Sequence, residues 1–349
     1  MKISKIPGLG RFGIFIDDLD FENITKEEWL EIGKLHLENL VTIIRNTNLN
    51  AESMYQFMSQ WGGGRYSYNA IALEKYPNWD GKILSALEDP NWDLEDKEML
   101  KALANVCEGK QNTTMRVSGK KDEHGNALGM FAEGELLWHS NESGNSIFTP
   151  GVALLAYQGT TNSSTGFLTT ADYYENVSES FRSELDEMVL IHNFTAGKIN
   201  PGLRADQDLM MYKNMAPYPD AEIPMVIKSP GGITGLHYSF NTVTHIKGMS
   251  KKDSTLLLDK IRKDLTKDEY IYDHWYEHDG DLCIFDNSIT QHRRLGNTDN
   301  RLCYRYQFDY TYVQDGPYVP YNNEPYRSEY IEKINKAVNL LKISDFKLP

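Results

Sequence analysis

Arg301-Leu302-Cys303-Tyr304-Arg305-Tyr306-Gln307-Phe308-Asp309-Tyr310-Thr311-Tyr312 alternates along its whole length. Successive side chains of a β-strand point to opposite faces. Leu302, Tyr304, Tyr306, Phe308, Tyr310 and Tyr312 therefore share one face. Arg301, Cys303, Arg305, Gln307 and Asp309 share the other. The apolar run Asp281-Leu282-Cys283-Ile284-Phe285 precedes it, and Val152-Ala153-Leu154-Leu155-Ala156-Tyr157 lies further upstream. From about residue 112 the pattern is that of strands. Strands before and after helical insertions predict a β sandwich or barrel with helices packed outside.

Outward from this core the helices announce themselves by their caps. Thr25-Lys26-Glu27-Glu28 is a capping box. It opens an amphipathic helix with Trp29, Ile32, Leu35 and Leu40, which runs into strand-like Val41-Thr42-Ile43-Ile44. Asn50 caps a second helix carrying Met54, Phe57, Met58 and Trp61. Gly62-Gly63-Gly64 ends it and begins a loop with Arg65, Tyr66 and Tyr68. A further helix is predicted near 171–189, and another near 251–263 with Ser250 and Asp253 as cap signals. Residues 194–224 have no clear period and read as a long, lid-like insertion. A last helix at about 327–341 places Ile331, Ile334 and Val338 on one face. That face suits core packing better than a homo-oligomer contact. The expectation is one domain, 1–349, whose N-terminal helical part spans about 20–110.

The chain of 349 residues is 40% hydrophobic and 25% charged, enough to bury a large core. Its net charge is −14, which duplex nucleic acid repels, and Arg293-Arg294 is too short for a nucleic-acid footprint. No apolar stretch reaches the length of a membrane span. The segment Met1-Lys2-Ile3-Ser4-Lys5-Ile6-Pro7-Gly8 has no apolar signal-peptide core, so the cytoplasm is the expected compartment. Cys107, Cys283 and Cys303 show no Cys-x-x-Cys spacing and read as buried thiols rather than disulfide or zinc ligands.

The chemistry sits in two distant segments, Leu137-Trp138-His139-Ser140-Asn141 and Phe285-Asp286-Asn287-Ser288-Ile289-Thr290-Gln291-His292. Arg301 and Arg305 follow. One early His, one late His and a basic residue downstream suggest a non-haem iron site that also binds a small dicarboxylate. Fe(II) of this kind needs a facial set of protein ligands with open positions. The other histidines, His36, His124, His192, His245, His274 and His278, read as structural, and so in the main does His237. Trp138 and Phe285 read as core residues beside the site.

Together these segments resemble the taurine dioxygenase (TauD/TfdA) family of Fe(II)/2-oxoglutarate-dependent oxygenases. The likeness begins at Gly13-Ile14-Phe15-Ile16-Asp17-Asp18-Leu19-Asp20. It continues through Trp138-His139-Ser140, Ser163-Ser164-Thr165-Gly166-Phe167, Gly280-Asp281-Leu282, Thr290-Gln291-His292 and Arg301-Leu302-Cys303-Tyr304-Arg305. Each motif alone is weak; their order and spacing are specific. The resemblance implies an α+β, mainly β fold, a double-stranded β-helix (jelly-roll, cupin-like) with flanking helices. It implies Fe(II), with 2-oxoglutarate and O₂ as co-substrates, and hydroxylation of a C–H bond in a small polar or anionic metabolite. His139, Asn141 and His292 would be the metal-binding and catalytic set. Thr165 and Arg301 would hold the far carboxylate of 2-oxoglutarate through a hydroxyl and a guanidinium fork. The same resemblance favours an inward face for the arginines. Arg305, about 13 Å along the strand, would reach the near carboxylate or the substrate, with Arg65, Tyr66 and Tyr68 as further substrate candidates.

The family pattern is His-x-Asp or His-x-Glu, and this chain has His139-Ser140-Asn141. Asn keeps the shape and loses the charge. Three readings follow: an oxygenase in which Asn141 ligates through oxygen or 2-oxoglutarate compensates; a halogenase-like site; or a non-catalytic binding protein of the same fold. Asn does not open the space that a halide would take. Glu142 is a candidate replacement carboxylate, but adjacent strand residues point to opposite faces.

Overall fold

Thr25 closes the predicted capping box in full: its hydroxyl accepts from Glu28 N, and the Glu28 carboxylate accepts from Thr25 N at 2.9 Å. The helix it starts, α1 (Lys26–Asn39), buries Trp29, Ile32 and His36. Asn50 likewise caps α2 (Ala51–Met58), which buries Met54 and Met58. α2 stops short of the Trp61 predicted for it, and the turn that follows locks onto α1 through Trp61 and Trp29. Trp29 and Trp61 stack at 4.6 Å, and each indole N–H donates to a backbone carbonyl, Phe57 O and Trp29 O. This is a computed structural model, and it describes residues 1–63, 114–121, 123–125, 129, 131, 135–143, 148–193, 220–314 and 318–340. Arg65, Tyr66, Tyr68 and Cys107 lie outside the described residues.

The strands are β1 (Lys2–Lys5), β2 (Ile14–Asp17), β3 (Val41–Ile44), β4 (Met115–Ser118), β5 (Leu136–His139), β6 (Gly151–Gln158), β7 (Ser164–Thr169) and β8 (Val189–His192). Then come β9 (Ala221–Pro224), β10 (Val226–Lys228), β11 (Thr234–Leu236), β12 (Val243–Ile246), β13 (Ile271–Trp275), β14 (Leu282–Asp286), β15 (Thr290–Arg294) and β16 (Leu302–Phe308). Seven form one sheet in the order β1-β2-β3-β14-β6-β16-β4, antiparallel except for β2 beside β3. Four form a second sheet, β13-β7-β15-β5, all antiparallel. Val152, Leu154, Cys283, Phe285 and Cys303 of the large sheet pack with Phe167 of the small one, and the site lies between them. The other face of the large sheet meets α1 and α2 through Ile44, Leu155, Ile284, Tyr306 and Phe308. The described residues are thus mainly β with few helices.

The 301–312 alternation is only partly one strand. β16 ends at Phe308, because the Asp309 carboxylate accepts from Thr311 N and Gly63 N and Tyr310 turns to φ 58°. Tyr312 is consequently exposed, off the apolar face predicted for it. The helix expected near 171–189 is two, α3 (Ala171–Asn176) and α4 (Glu179–Glu187). Val177 is extended, and the Ser178 hydroxyl accepts from Phe181 N, so the serine caps a new helix instead of continuing the old one. The predicted loop 194–224 ends in β9, which pairs with β8, while 194–219 lie outside the described residues. The helix near 251–263 is α5 (Lys251–Leu265), capped by Ser250. The terminal helix α6 spans Glu324–Leu340. No helix among the described residues is long and apolar enough to cross a membrane.

Candidate active site

Strand register builds the centre. β5 and β15 are antiparallel with His139 directly opposite His292, so both rings project from the same face. Their centroids are 4.1 Å apart. On the other side of β15, His292 pairs with Phe167 of β7, which puts Thr165, two residues back, on that face too. From the opposing sheet, Arg305 lies across from Leu154 of β6 and Met115 of β4. Arg301 stands just before β16, beside an irregularity in register at Leu302 and Cys303. His139, His292, Thr165, Arg301 and Arg305 together line a cavity of about 40 Å³ between the sheets. These predicted residues, scattered over nearly half the chain, are thus brought together.

The two histidines are prepared differently. His139 Nδ1 lies 2.7 Å from Leu137 O, so Nδ1 carries the hydrogen and Nε2 the lone pair. Burial drives the His292 pKa well below its usual value, and the neighbouring His139 and Arg305 lower it further. A neutral imidazole is the form that ligates a metal. The His292 Nδ1 atom is buried and has no hydrogen-bond partner. The turn that delivers β15 is stapled by Asp286, whose carboxylate accepts from Ser288 N, Ser288 Oγ and Ile289 N. Burial nevertheless raises its pKa to about 7.

Asn141 is 7% exposed and held at its backbone by Asn287. The Asn141 amide donates to Asn287 Oδ1 at 2.8 Å, while Asn287 Nδ2 donates to Asn141 O and Thr149 O. The Asn141 side-chain oxygen accepts from Arg305 Nη1 at 3.4 Å, and its Nδ2 is buried without a partner. Glu142 is not on a strand, contrary to the alternation argument. It lies in a turn at φ 60°, and its carboxylate accepts from Thr149 N and Oγ1. It is committed there, and burial raises its pKa despite those bonds and the nearby Arg305 charge. Among the described residues no three His, Cys, Asp or Glu side chains cluster in a way that could hold a metal.

Arg301 is 1% exposed. Its Nη2 donates to Thr165 Oγ1 at 3.3 Å and its Nε to Cys303 Sγ, whereas Nη1 is buried without a partner. A buried guanidinium with an unused donor facing a cavity is the complement of a carboxylate. The donor set therefore fits a carboxylate, and the paired His139 and His292 imidazoles could offer a divalent metal two nitrogens, whereas Asn141 is not among the residues that line the cavity. Arg293, by contrast, is paired with Asp273 and lies over Trp138, and Arg294 is buried and donates to Phe131 O. The short basic pair is thus tied into the surrounding structure, while both residues also line the cavity.

Sequence reasoning missed two residues. Asn287 was visible inside the second segment but had no assigned role; it clamps the Asn141 backbone. Tyr276 gave no signal; its hydroxyl is 2.6 Å from Thr165 Oγ1. His237 stays away from the metal-side residues, with Nδ1 at 2.7 Å from Ser288 O and its ring stacked on Phe148.

Among curated proteins none matches the chain significantly. Solved structures do. One is AAD-2 in complex with Mn(II) and N-oxalylglycine, 18% identical, TM-score 0.61, covering 88% of this chain and 97% of that one. Another is a taurine dioxygenase from Burkholderia xenovorans, 19% identical, TM-score 0.59, covering 92% of each chain. These likenesses show a shared fold. The family model for the taurine catabolism dioxygenase TauD, TfdA family matches residues 5–307, nearly the whole chain, and the protein belongs to that family.

Proposed function

We propose that the protein is an Fe(II)/2-oxoglutarate-dependent oxygenase that hydroxylates a C–H bond of a small polar or anionic metabolite. The reading includes a single domain whose two facing sheets form a double-stranded β-helix. The observation that carries it is the convergence on one cavity of the His139–His292 pair and the buried Arg301, which holds an unused donor.

His139 and His292 would hold the iron, with Asn141 as a neutral third donor. Bound iron supplies the means to activate O₂ as 2-oxoglutarate is decarboxylated. The chain's own share is placement. Arg301 and Thr165 bind the far carboxylate and so set where the keto acid end lies. The Leu137 carbonyl fixes the His139 ring through Nδ1. Phe285, whose ring centroid is 4.7 Å from that of His292, and Val152 keep the cavity wall apolar and exclude water. Arg305 adds a charge suited to an anionic substrate or to the near carboxylate. An Asn141 side chain in the third position would leave no space for a halide, so this reading favours an oxygenase over a halogenase.

The test is anaerobic titration of the metal-free protein with Fe(II) and 2-oxoglutarate, following the visible charge-transfer band of the chelated keto acid. The expected result is a saturable band that needs both components and is lost in His139→Ala. No band and no retained iron would replace the oxygenase by a non-catalytic member of the family.

A further inference from the structure

Tyr276 stands immediately after β13, 2% exposed, with its hydroxyl against Thr165, a residue of the cavity wall. Its neighbours there are Thr165 Oγ1 at 2.6 Å and Cys283 Sγ at 3.6 Å, and the Arg301 guanidinium lies 5.7 Å from the ring centroid. His274 packs edge-on against the ring at 5.1 Å and is itself held by Asp281 at 2.8 Å. The phenol is therefore fixed from behind, and its oxygen meets Thr165, which lines the cavity.

A threonine hydroxyl has one hydrogen to donate and two lone pairs to accept with. Arg301 Nη2, which can only donate, takes one lone pair of Thr165 Oγ1. If the phenol donates as well, both lone pairs are used, and the threonine hydrogen must turn elsewhere. Burial pushes the Tyr276 pKa well above 10, so the phenol keeps a hydrogen to donate, with Thr165 Oγ1 the nearer acceptor at 2.6 Å and Cys283 Sγ the farther at 3.6 Å. No other partner for Thr165 Oγ1 is present among the described residues. With the phenol donating, the threonine hydrogen is left for the cavity that Thr165 lines, where Arg301 Nη1 also has an unused donor. Two donors with no acceptor between them call for a group that only accepts, which is a carboxylate.

We propose that Tyr276 is a positioning residue for the far carboxylate of the 2-oxo acid, acting by orienting the Thr165 hydroxyl. This rests on the oxygenase reading and deepens it: Tyr276 sets the selectivity for a dicarboxylic over a monocarboxylic keto acid. Removing the phenol oxygen leaves Thr165 free to swing its hydrogen away. One charge-assisted hydrogen bond is then weakened, on the order of tenfold in affinity.

The experiment compares the full-length parent, Tyr276→Phe, Thr165→Val and the double variant, each loaded anaerobically with Fe(II). Dissociation constants for 2-oxoglutarate and for 2-oxobutyrate, which lacks the far carboxylate, are read from the charge-transfer band and by calorimetry. Tyr276→Phe is expected to weaken 2-oxoglutarate about tenfold and leave 2-oxobutyrate unchanged. Its effect should not add to that of Thr165→Val. Equal weakening of both acids, no weakening of either, or full additivity would overturn the proposal while leaving the oxygenase reading intact. Absence of 2-oxoglutarate binding by the parent would overturn both. Should Tyr276→Phe not fold, Thr165→Val must produce the same split between the two acids, and failure to do so overturns the proposal.

Discussion

Asn141 is where the chemistry of this chain is decided. Its amide oxygen has a lone pair but no charge, and hard cations favour charged oxygen ligands. The Arg305 guanidinium already donates to that oxygen. A carboxylate in the same place would gain both the metal and the arginine. Asn141→Asp is therefore expected to tighten Fe(II) binding by about tenfold or more, measured by anaerobic competition with a coloured chelator. Unchanged affinity would place Asn141 away from the metal. The Asn287 clamp on its backbone is independent of the side chain, so the substitution should leave the strand ends in place.

At the scale of elements, the site depends on how closely β7 is gripped by its two neighbours. Gly166 pairs with Asp273 of β13 and Arg293 of β15. A Cβ at Gly166 would press into the Asp273 carboxylate and the Arg293 side chain, which are themselves paired. Little room exists to relax, because the ion pair bridges the strands on both sides. Gly166→Ala should lose about 1–3 kcal/mol in urea unfolding, as overpacked positions do. Since Thr165 is the adjacent residue, 2-oxoglutarate affinity should fall with it. A variant as stable as the parent would show that the strands part without strain.

The whole molecule joins its helical layer to the large sheet through His36. The ring lies between Trp61 and Tyr310, and its two nitrogens meet Thr42 Oγ1 and the Tyr310 hydroxyl. Burial lowers its pKa to about 3, while the unfolded value is 6.5. Above 6.5 both states are neutral and the contribution is fully present. Below it the unfolded chain takes a proton that the folded chain refuses, so stability is lost as pH falls from 6.5 toward about 3. His237 behaves alike down to about 4, whereas Asp286, raised to about 7, works in the opposite direction. The difference between parent and His36→Gln isolates the one group. Between pH 7 and 5 the parent should lose roughly 2 kcal/mol more than the variant. Parallel pH profiles in urea denaturation would refute the assignment.

Local signals were legible in the chain because their physics is local. Thr25 with Glu28, Asn50 and Ser250 announced three helix starts, since a cap needs only residues a turn away. The period-two pattern after Arg301 announced a strand, the order of His139, Thr165, His292 and Arg301 announced the family, and the family resemblance implied the inward arginines. The same pattern overran its end, because Tyr310 and Asp309 leave the strand for contacts with Gly63 and His36 that lie far away in sequence. The break at Ser178 was hidden in a continuous helical period. Tertiary structure alone decided that His139 faces His292, that Asn287 holds Asn141, and that Tyr276 meets Thr165. Each of these is a contact between segments far apart in the chain, made on paired strands or at their ends, and no spacing within one segment records it.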